Sequence, residues 1–385
     1  MGYRICVIEG DGIGHEVVPA ALQVLRASGM PLDVIRASAG WECFQQTGQA
    51  LPETTLQAIR EADATLLGVM FAPARSVSGY RSPIVALRQH LGLYASLRPA
   101  RSWPLPRSRQ GVDLVLVREN SECLYAESEE DLGDTATVRR VITRAASRRI
   151  GRMALELAAG RRRRLTIVHK ANIFPITCGL FRDALLETAA SFPQVQINEV
   201  YADTMAMRLL REPEAFDVIV TTNLFGDLLA GEIPLLCGGI GLAPSATLGD
   251  KVAIFAPVHG SAPDIAGRGI ANPMAAILAG AMLLQHLGET AAAARLTAGV
   301  DAAIRAGIIT PDLGGRATTA EVAAAVTRLS ALREPTPPAG VPVGEVTLAA
   351  GERSAPWCGA SSELAAILDD NVLLEPLPGC NSPFE

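Results

Sequence analysis

Lysine is almost missing from this chain. Of its 34 lysine and arginine side chains only Lys170 and Lys251 are lysine. Arginine stands wherever a fixed positive charge suffices. It keeps its proton at any accessible pH, whereas a lysine amine can be tuned to lose one. A lysine retained against that bias suits a position where an amine exchanges a proton, although Lys251 survives in no such context. Cysteine is sparse too: seven residues, an odd number, with no C-x-x-C pair. That excludes a disulfide framework and a zinc ribbon and suits a reducing cytoplasm. Long apolar runs are lacking. The longest, around Met274 to Leu284, is too short to span a bilayer and reads as a buried helix. No signal peptide is expected, because the chain enters the apolar run Arg4 to Ile8 directly. A net charge of -6 argues against nucleic acid as a partner. The one basic run, Arg161 to Arg164, is expected to be a solvated turn before an apolar strand.

What is present is an ordinary globular composition, 49% hydrophobic and 19% charged over 385 residues, with room for about two domains. Strand-like runs at Ile5 to Ile8, Ala64 to Val69, Val112 to Val117, Leu165 to Val168, Val195 to Val200, Val218 to Thr221 and Val252 to Phe255 alternate with helical segments. The helices include residues near His15 to Ser28, Ile150 to Ala159, Gly179 to Ala190 and Ala271 to His286. This alternation predicts an α/β fold with helices over largely parallel strands. After Arg333 the texture changes to a Pro-rich linker, followed by a tail with one short helix predicted at Ser361 to Leu368.

Chemistry-bearing residues recur at the ends of these strands. Gly10-Asp11-Gly12-Ile13-Gly14 follows the first strand but lacks the last glycine of a dinucleotide fingerprint, so a tight strand-to-helix turn explains it equally. Arg88 and Arg98 flank one short segment, and Arg118 ends a strand. Guanidinium forks bind carboxylates bidentately, so three of them suit a di- or tricarboxylic acid. Tyr125 follows Arg118 at a distance suited to a proton donor beside a bound anion. Asp203 and Asp227, each after an apolar strand, are candidates for a hard divalent cation. Lys170 lies in Val168-His169-Lys170-Ala171-Asn172-Ile173, where a strand runs into a turn.

Seven segments in order complete the pattern: GDGIG at 10–14, LRQHLGLYASLRP at 87–99, RENSECLY at 118–125, HKANI at 169–173, YADTMAM at 201–207, TNLFGDLLAGE at 222–232 and HGSAPDIAGRGIANP at 259–273. Together they resemble the β-decarboxylating dehydrogenases: isocitrate, homoisocitrate, 3-isopropylmalate and tartrate dehydrogenases. The resemblance covers about residues 4 to 330. It implies the two-domain isocitrate/isopropylmalate dehydrogenase-like fold with a non-Rossmann cofactor site. Residues 1–99 with 238–333 would form a cofactor domain, and 100–237 a substrate, metal and dimerisation domain. It also implies that Arg88, Arg98 and Arg118 hold malate-like carboxylates and that Ile173 lies at the substrate. Lys170 would reach across a homodimer to take part in removing the 2-hydroxyl proton, and Tyr125 would protonate the enolate carbon after carbon dioxide leaves. Asp227, with Asp203 of the partner subunit, would ligate Mg²⁺ or Mn²⁺. Ile13, His259, Gly260, Ser261, Ala262, Asp264, Ile265 and Asn272 would form the adenosine site. Asp264 suits free ribose hydroxyls and repels a 2′-phosphate, which favours NAD over NADP.

Two departures stand out. The family usually carries a second aspartate four residues after Asp227, where this chain has Gly231. Helical spacing would have put both carboxylates on one face, and the neighbouring Glu232 projects about 100° further round. Ala256 likewise replaces a commonly acidic residue before Pro257. The stretch Gly79 to Arg88 reads most like homoisocitrate dehydrogenases, and its Arg81 and Ser82 argue for a substrate with an anionic arm. Ile84, Val85 and Ile173 could instead face the isopropyl group of 3-isopropylmalate.

Overall fold

The computed structural model describes residues 2–75, 77–125 and 129–331. The predicted linker and the helix at 361–368 lie outside them. Among the described residues twelve strands form: β1 (Tyr3–Gly10), β2 (Leu32–Ala37), β3 (Ala64–Val69), β4 (Ala95–Arg101), β5 (Asp113–Glu119), β6 (Glu130–Asp131), β7 (Ala136–Thr137), β8 (Arg164–His169), β9 (Gln196–Tyr201), β10 (Val218–Thr221), β11 (Pro244–Leu248) and β12 (Ala253–Pro257). The helices are α1 (Gly14–Ala27), α2 (Trp41–Thr47), α3 (Glu53–Glu61), α4 (Pro83–His90), α5 (Arg144–Ala159), α6 (Thr177–Ala189), α7 (Ala202–Arg211), α8 (Asn223–Leu236), α9 (Met274–His286), α10 (Thr290–Arg305) and α11 (Thr319–Ala331).

The apolar runs become strands because helices cover both faces of one sheet. Every residue of β3 and of β10 is buried, which is why these segments read as unbroken runs rather than alternating ones. Ten strands form this sheet in the order β2-β1-β3-β12-β11-β4-β5-β10-β8-β9, and β6 with β7 makes a separate short ladder. Both flanks are parallel, as the β/α alternation predicts. The centre is not: β12 with β11, β11 with β4, and β4 with β5 pair antiparallel. The sequence reading missed β4 and β11 because Arg98, Pro99 and Arg101 break the apolar pattern of one, and the other is a five-residue segment. This reversal positions chemistry. Because β4 enters the sheet where β5 leaves it, with Ser96 opposite Arg118, the preceding helix α4 delivers Arg88 to the edge where Arg118 emerges.

The core runs along both faces of the sheet. Helix α9 is buried over its first eleven residues, Met274 to Leu284, as its apolar run predicts. No helix among the described residues is long and apolar enough to cross a membrane. The basic run before β8 is a turn in which Arg162, Arg163 and Arg164 are exposed, as its sequence reading expects. Arg161 departs from it: its side chain is 1% exposed and bonds Asp217 at 2.8 Å and Asp113 at 2.9 Å. It is a paired interior charge that ties the start of β8 to β5 and to the residue before β10.

Asp11 ties the turn after β1 to two distant segments. Its carboxylate is 2% exposed and accepts the backbone N–H groups of Trp41 at 2.9 Å, Glu42 at 2.8 Å and Phe71 at 2.7 Å. Gly40 takes φ 119°, and a Cβ there would lie 2.5 Å from the same carboxylate. Trp41, Phe44, Phe71 and Tyr80 then pack ring against ring, and the Tyr80 hydroxyl donates to the Phe71 carbonyl at 2.9 Å. This cluster anchors the segment that presents Arg81. An Asp11→Ala protein leaves three N–H groups without their acceptor, and its unfolding free energy is expected to fall by about 3 kcal/mol. Urea denaturation measures the difference. A loss below about 1 kcal/mol would mean that water replaces the carboxylate.

Candidate active site

Arg118 is the largest fully buried side chain among the described residues, 1% exposed. A guanidinium in that position needs acceptors on every donor edge. Its Nε and one terminal nitrogen both donate to Asn223 Oδ1, at 2.9 and 2.6 Å. The other terminal nitrogen donates to the Asp227 carboxylate. Asn223 and Asp227 lie four residues apart at the start of α8, so one helical face clamps the guanidinium from two sides. Gly226 makes the approach possible: a Cβ there would lie 2.7 Å from Arg118 Cγ. Asn223 was not among the residues the sequence singled out. Its only signal was its place in TNLFGD, one turn before the acidic residue.

Tyr125 completes this cluster. Its hydroxyl donates to Asp227 Oδ2 at 2.6 Å, and the Arg118 guanidinium lies 5.2 Å from its ring centre. Burial first, and then the bond to Asp227, raise the phenol above its ordinary range. The group therefore stays protonated at neutral pH, as a proton donor must. Burial opposes ionisation of Asp227, but the Tyr125 bond and the charges of Arg118 and Arg88 hold its carboxyl below the usual range.

Arg88 and Arg98 face the same place, close enough to Arg118 to feel its charge. The Nε atoms of both are buried without a hydrogen-bond partner among the described residues. Burial, followed by repulsion from Arg118, pushes each down to about 10. Three guanidinium groups thus converge, and among the described residues Asp227 is the carboxylate that binds into them. Such a site is electrostatically incomplete until an anion with several oxygens enters.

Lys170 and Asp203 form a second cluster. They leave the ends of the adjacent parallel strands β8 and β9, and Lys170 Nζ meets Asp203 Oδ1 at 2.6 Å. This bond holds the Asp203 carboxyl below its ordinary range. The ammonium also lies 5.6 Å from the Tyr201 ring centre. No hydrogen bond or ion pair among the described residues joins this pair to the Arg118 cluster. Asp203 and Asp227 are accessible hard-oxygen donors, 64% and 45% exposed, of the kind Mg²⁺ and Mn²⁺ take. No group of three acidic, histidine or cysteine side chains that could hold a metal occurs among the described residues. Glu232 is no obvious replacement for the missing carboxylate. Its Oε2 is buried without a partner among the described residues, and burial raises its pKa.

The expected cofactor residues come together at the ends of β1 and β12. Ile13 N–H donates to the Ser261 carbonyl at 3.0 Å. A Cβ on Gly12 would lie 2.3 Å from that carbonyl, which explains the glycine without any phosphate fingerprint. His259 Nδ1 lies within hydrogen-bond reach of the adjoining Gly260 carbonyl, and its Nε2 is buried with no partner among the described residues. Burial lowers its pKa, leaving a neutral imidazole with an unused polar atom, which fits a purine or ribose ligand. Ala262 holds a positive φ of 38°. Asp264 is exposed and Ile265 is partly buried in the same loop. The Asn272 amide donates to Asp312 at 3.0 Å, and its carbonyl accepts from Met274 N–H at the start of α9. Arg81 and Ser82 lie exposed before α4, and Ile173 is 60% exposed on the segment after Lys170.

Comparison with known proteins identifies the family. The isocitrate/isopropylmalate dehydrogenase family model matches residues 4–326. An isocitrate/homoisocitrate dehydrogenase of Thermus thermophilus is 55% identical over 320 residues, 83% of this chain and 96% of that one. A 3-isopropylmalate dehydrogenase of Methanothermobacter thermautotrophicus is 46% identical, covering 84% and 98%. The crystal structure of isocitrate dehydrogenase from Methylococcus capsulatus superposes with a TM-score of 0.81 at 41% identity, covering 85% of this chain and 99% of that one. This chain therefore belongs to the isocitrate/isopropylmalate dehydrogenase family and is a dehydrogenase that oxidatively decarboxylates a hydroxy acid.

Proposed function

We propose that this protein oxidises a 3-substituted malate with NAD and Mg²⁺ or Mn²⁺, and that its active sites are shared across a homodimer. The observation that carries the reading is the incomplete cation cluster, in which Arg88 and Arg98, beside Arg118, keep buried Nε atoms that no described residue pairs. These three hold the malate carboxylates. Lys170 of the partner subunit takes the 2-hydroxyl proton. Tyr125 delivers a proton to the enolate carbon after carbon dioxide leaves. Asp264 would read the free ribose hydroxyls of NAD and His259 would face its adenosine, and the cofactor would supply the hydride acceptor. The divalent cation, held by Asp227 and the partner's Asp203, supplies charge that stabilises the developing enolate.

An isocitrate- or homoisocitrate-like acid with an anionic arm is the first substrate, supported by the exposed Arg81 and by the Thermus relative's name. A second reading, 3-isopropylmalate, draws on the partly exposed Val85 and Ile84 on α4 and on the Methanothermobacter relative's name. The homodimer is supported by a band of exposed apolar side chains on α7, α8 and the Lys170 segment. Met207, Leu210, Leu228, Leu235 and Ile173 are each 60% to 69% exposed, more apolar surface than a lone subunit usually shows in one place.

A panel of 3-substituted malates, assayed for NADH and NADPH formation with Mn²⁺, tests the reading directly. Turnover is expected with homoisocitrate or isocitrate and NAD. Arg81→Ala should raise KM for these acids about tenfold to a hundredfold, and far less for 3-isopropylmalate. Equal losses on both would remove Arg81 from the discriminating contact, and preference for NADP would remove Asp264 from cofactor choice.

Sharing of sites is tested by complementation. Lys170→Arg and Tyr125→Phe proteins are each expected to lose most turnover, since guanidinium cannot give up its proton near neutrality. Subunits mixed and reassembled in equal amounts should regain about a quarter of wild-type activity, because half the dimers carry one intact site. Absence of any recovery in verified heterodimers would place both residues in a site built by one chain.

Gly231 tests the metal assignment. A Cβ there meets no atom within 4 Å, so Gly231→Asp adds a carboxylate one turn after Asp227 without a clash. Calorimetric titration of the substrate-free protein should show Mn²⁺ binding tightened by the substitution. Unchanged affinity would indicate that the cation does not sit beside this face of α8.

A further inference from the structure

We infer that Asn223 is a positioning residue that sets the substrate-binding guanidinium of Arg118 and the proton-donor loop of Tyr125 in register. The inference rests on the reading of Arg118 and Tyr125 above. Asn223 is wholly buried, and its two polar atoms serve two different segments. Oδ1 takes both Arg118 N–H groups on one edge, while Nδ2 donates to the Glu122 carbonyl at 2.9 Å. That carbonyl belongs to the peptide preceding Cys123, whose φ of 76° is a left-handed conformation in a residue other than glycine. Such a conformation is strained and persists only where surrounding contacts impose it. The imposing contacts are identifiable. Thr143 binds the Glu122 carboxylate through its N–H at 2.9 Å and its hydroxyl at 2.8 Å. Cys123 N–H reaches the Val141 carbonyl at 2.9 Å. The Asn223 amide holds the Glu122 carbonyl from the side of α8. Two residues further on, Tyr125 reaches Asp227. One amide therefore fixes both where the substrate carboxylate is bound and where the phenol stands.

The two halves of that amide can be separated. Asn223→Asp keeps an acceptor for Arg118 but sets a second negative charge against it and loses the donor to Glu122. Two equilibrium readouts follow the two halves: calorimetric binding of malate with Mn²⁺, and hydrogen-exchange protection of the N–H of residue 123, which is bonded to the Val141 carbonyl. Asn223→Asp is expected to weaken malate binding about tenfold or more. It should also strip the residue 123 N–H of protection, because the loop is no longer held at the Glu122 carbonyl. Adding Cys123→Gly, which removes the left-handed penalty, should return that protection toward the wild-type level while malate binding stays weakened. Asn223→Ser, too short to serve both segments, provides the same comparison if Asn223→Asp does not fold. Unchanged malate binding and amide protection in the folded variant overturn the positioning role. So does a Cys123→Gly addition that restores both readouts together or neither, since that is the behaviour of a general packing defect. Both measurements are independent of turnover, so a chain inactive on every acid in the panel would count against the functional reading alone.

Discussion

A guanidinium buried to 1% exposure at the end of a central strand constrains much of what surrounds it. Removing a cation from water costs several kcal/mol unless fixed acceptors replace the hydration. Arg118 obtains them from one turn of one helix, Asn223 and Asp227, across a gap of about a hundred residues in sequence. That demand explains why α8 opens with an asparagine, why position 226 has no side chain, and why β5 and α8 must pack closely. It also explains why Asp227 ionises readily despite burial: its proton would compete with two guanidinium groups and a phenol.

The arrangement stops short of neutrality, and this is where function enters. Asp227 is shared between Arg118 and Tyr125, leaving Arg88 and Arg98 with buried nitrogens that no described residue meets. A structure evolved only for stability would pair such groups or replace them with apolar side chains. An incomplete cluster of like charges is stable enough to fold because the rest of the domain supplies a large core, and on the reading proposed above a polycarboxylate completes it. The same residues thus hold stability and affinity in opposition.

Lys170 and Asp203 show the complementary logic. They satisfy each other on neighbouring parallel strands and, among the described residues, make no bond to the arginine cluster of their own chain. An exposed apolar band lies on the same elements, with Ile173 three residues beyond Lys170 and Met207 one turn after Asp203. Residues that carry chemistry but stand apart from the site of one subunit, beside a surface suited to another subunit, fit a catalytic centre divided between two chains.

Local patterning determined a large part of this. The buried runs of β3 and β10, the apolar helix α9 and the motif residues Arg88, Arg98, Arg118, Tyr125, Asp203 and Asp227 were legible because burial on two faces and functional motifs leave marks within a few residues. The antiparallel centre of the sheet was not, since strand direction is decided by pairing between segments far apart in sequence, such as β4 with β11. Nor was the burial of Arg161, whose partners Asp113 and Asp217 lie about fifty residues away on either side, nor the double role of Asn223. A residue's type and its neighbours in sequence disclose which bonds it is able to make. Only the tertiary structure decides which partner arrives, because the desolvation that makes a particular bond necessary exists only after distant segments have packed.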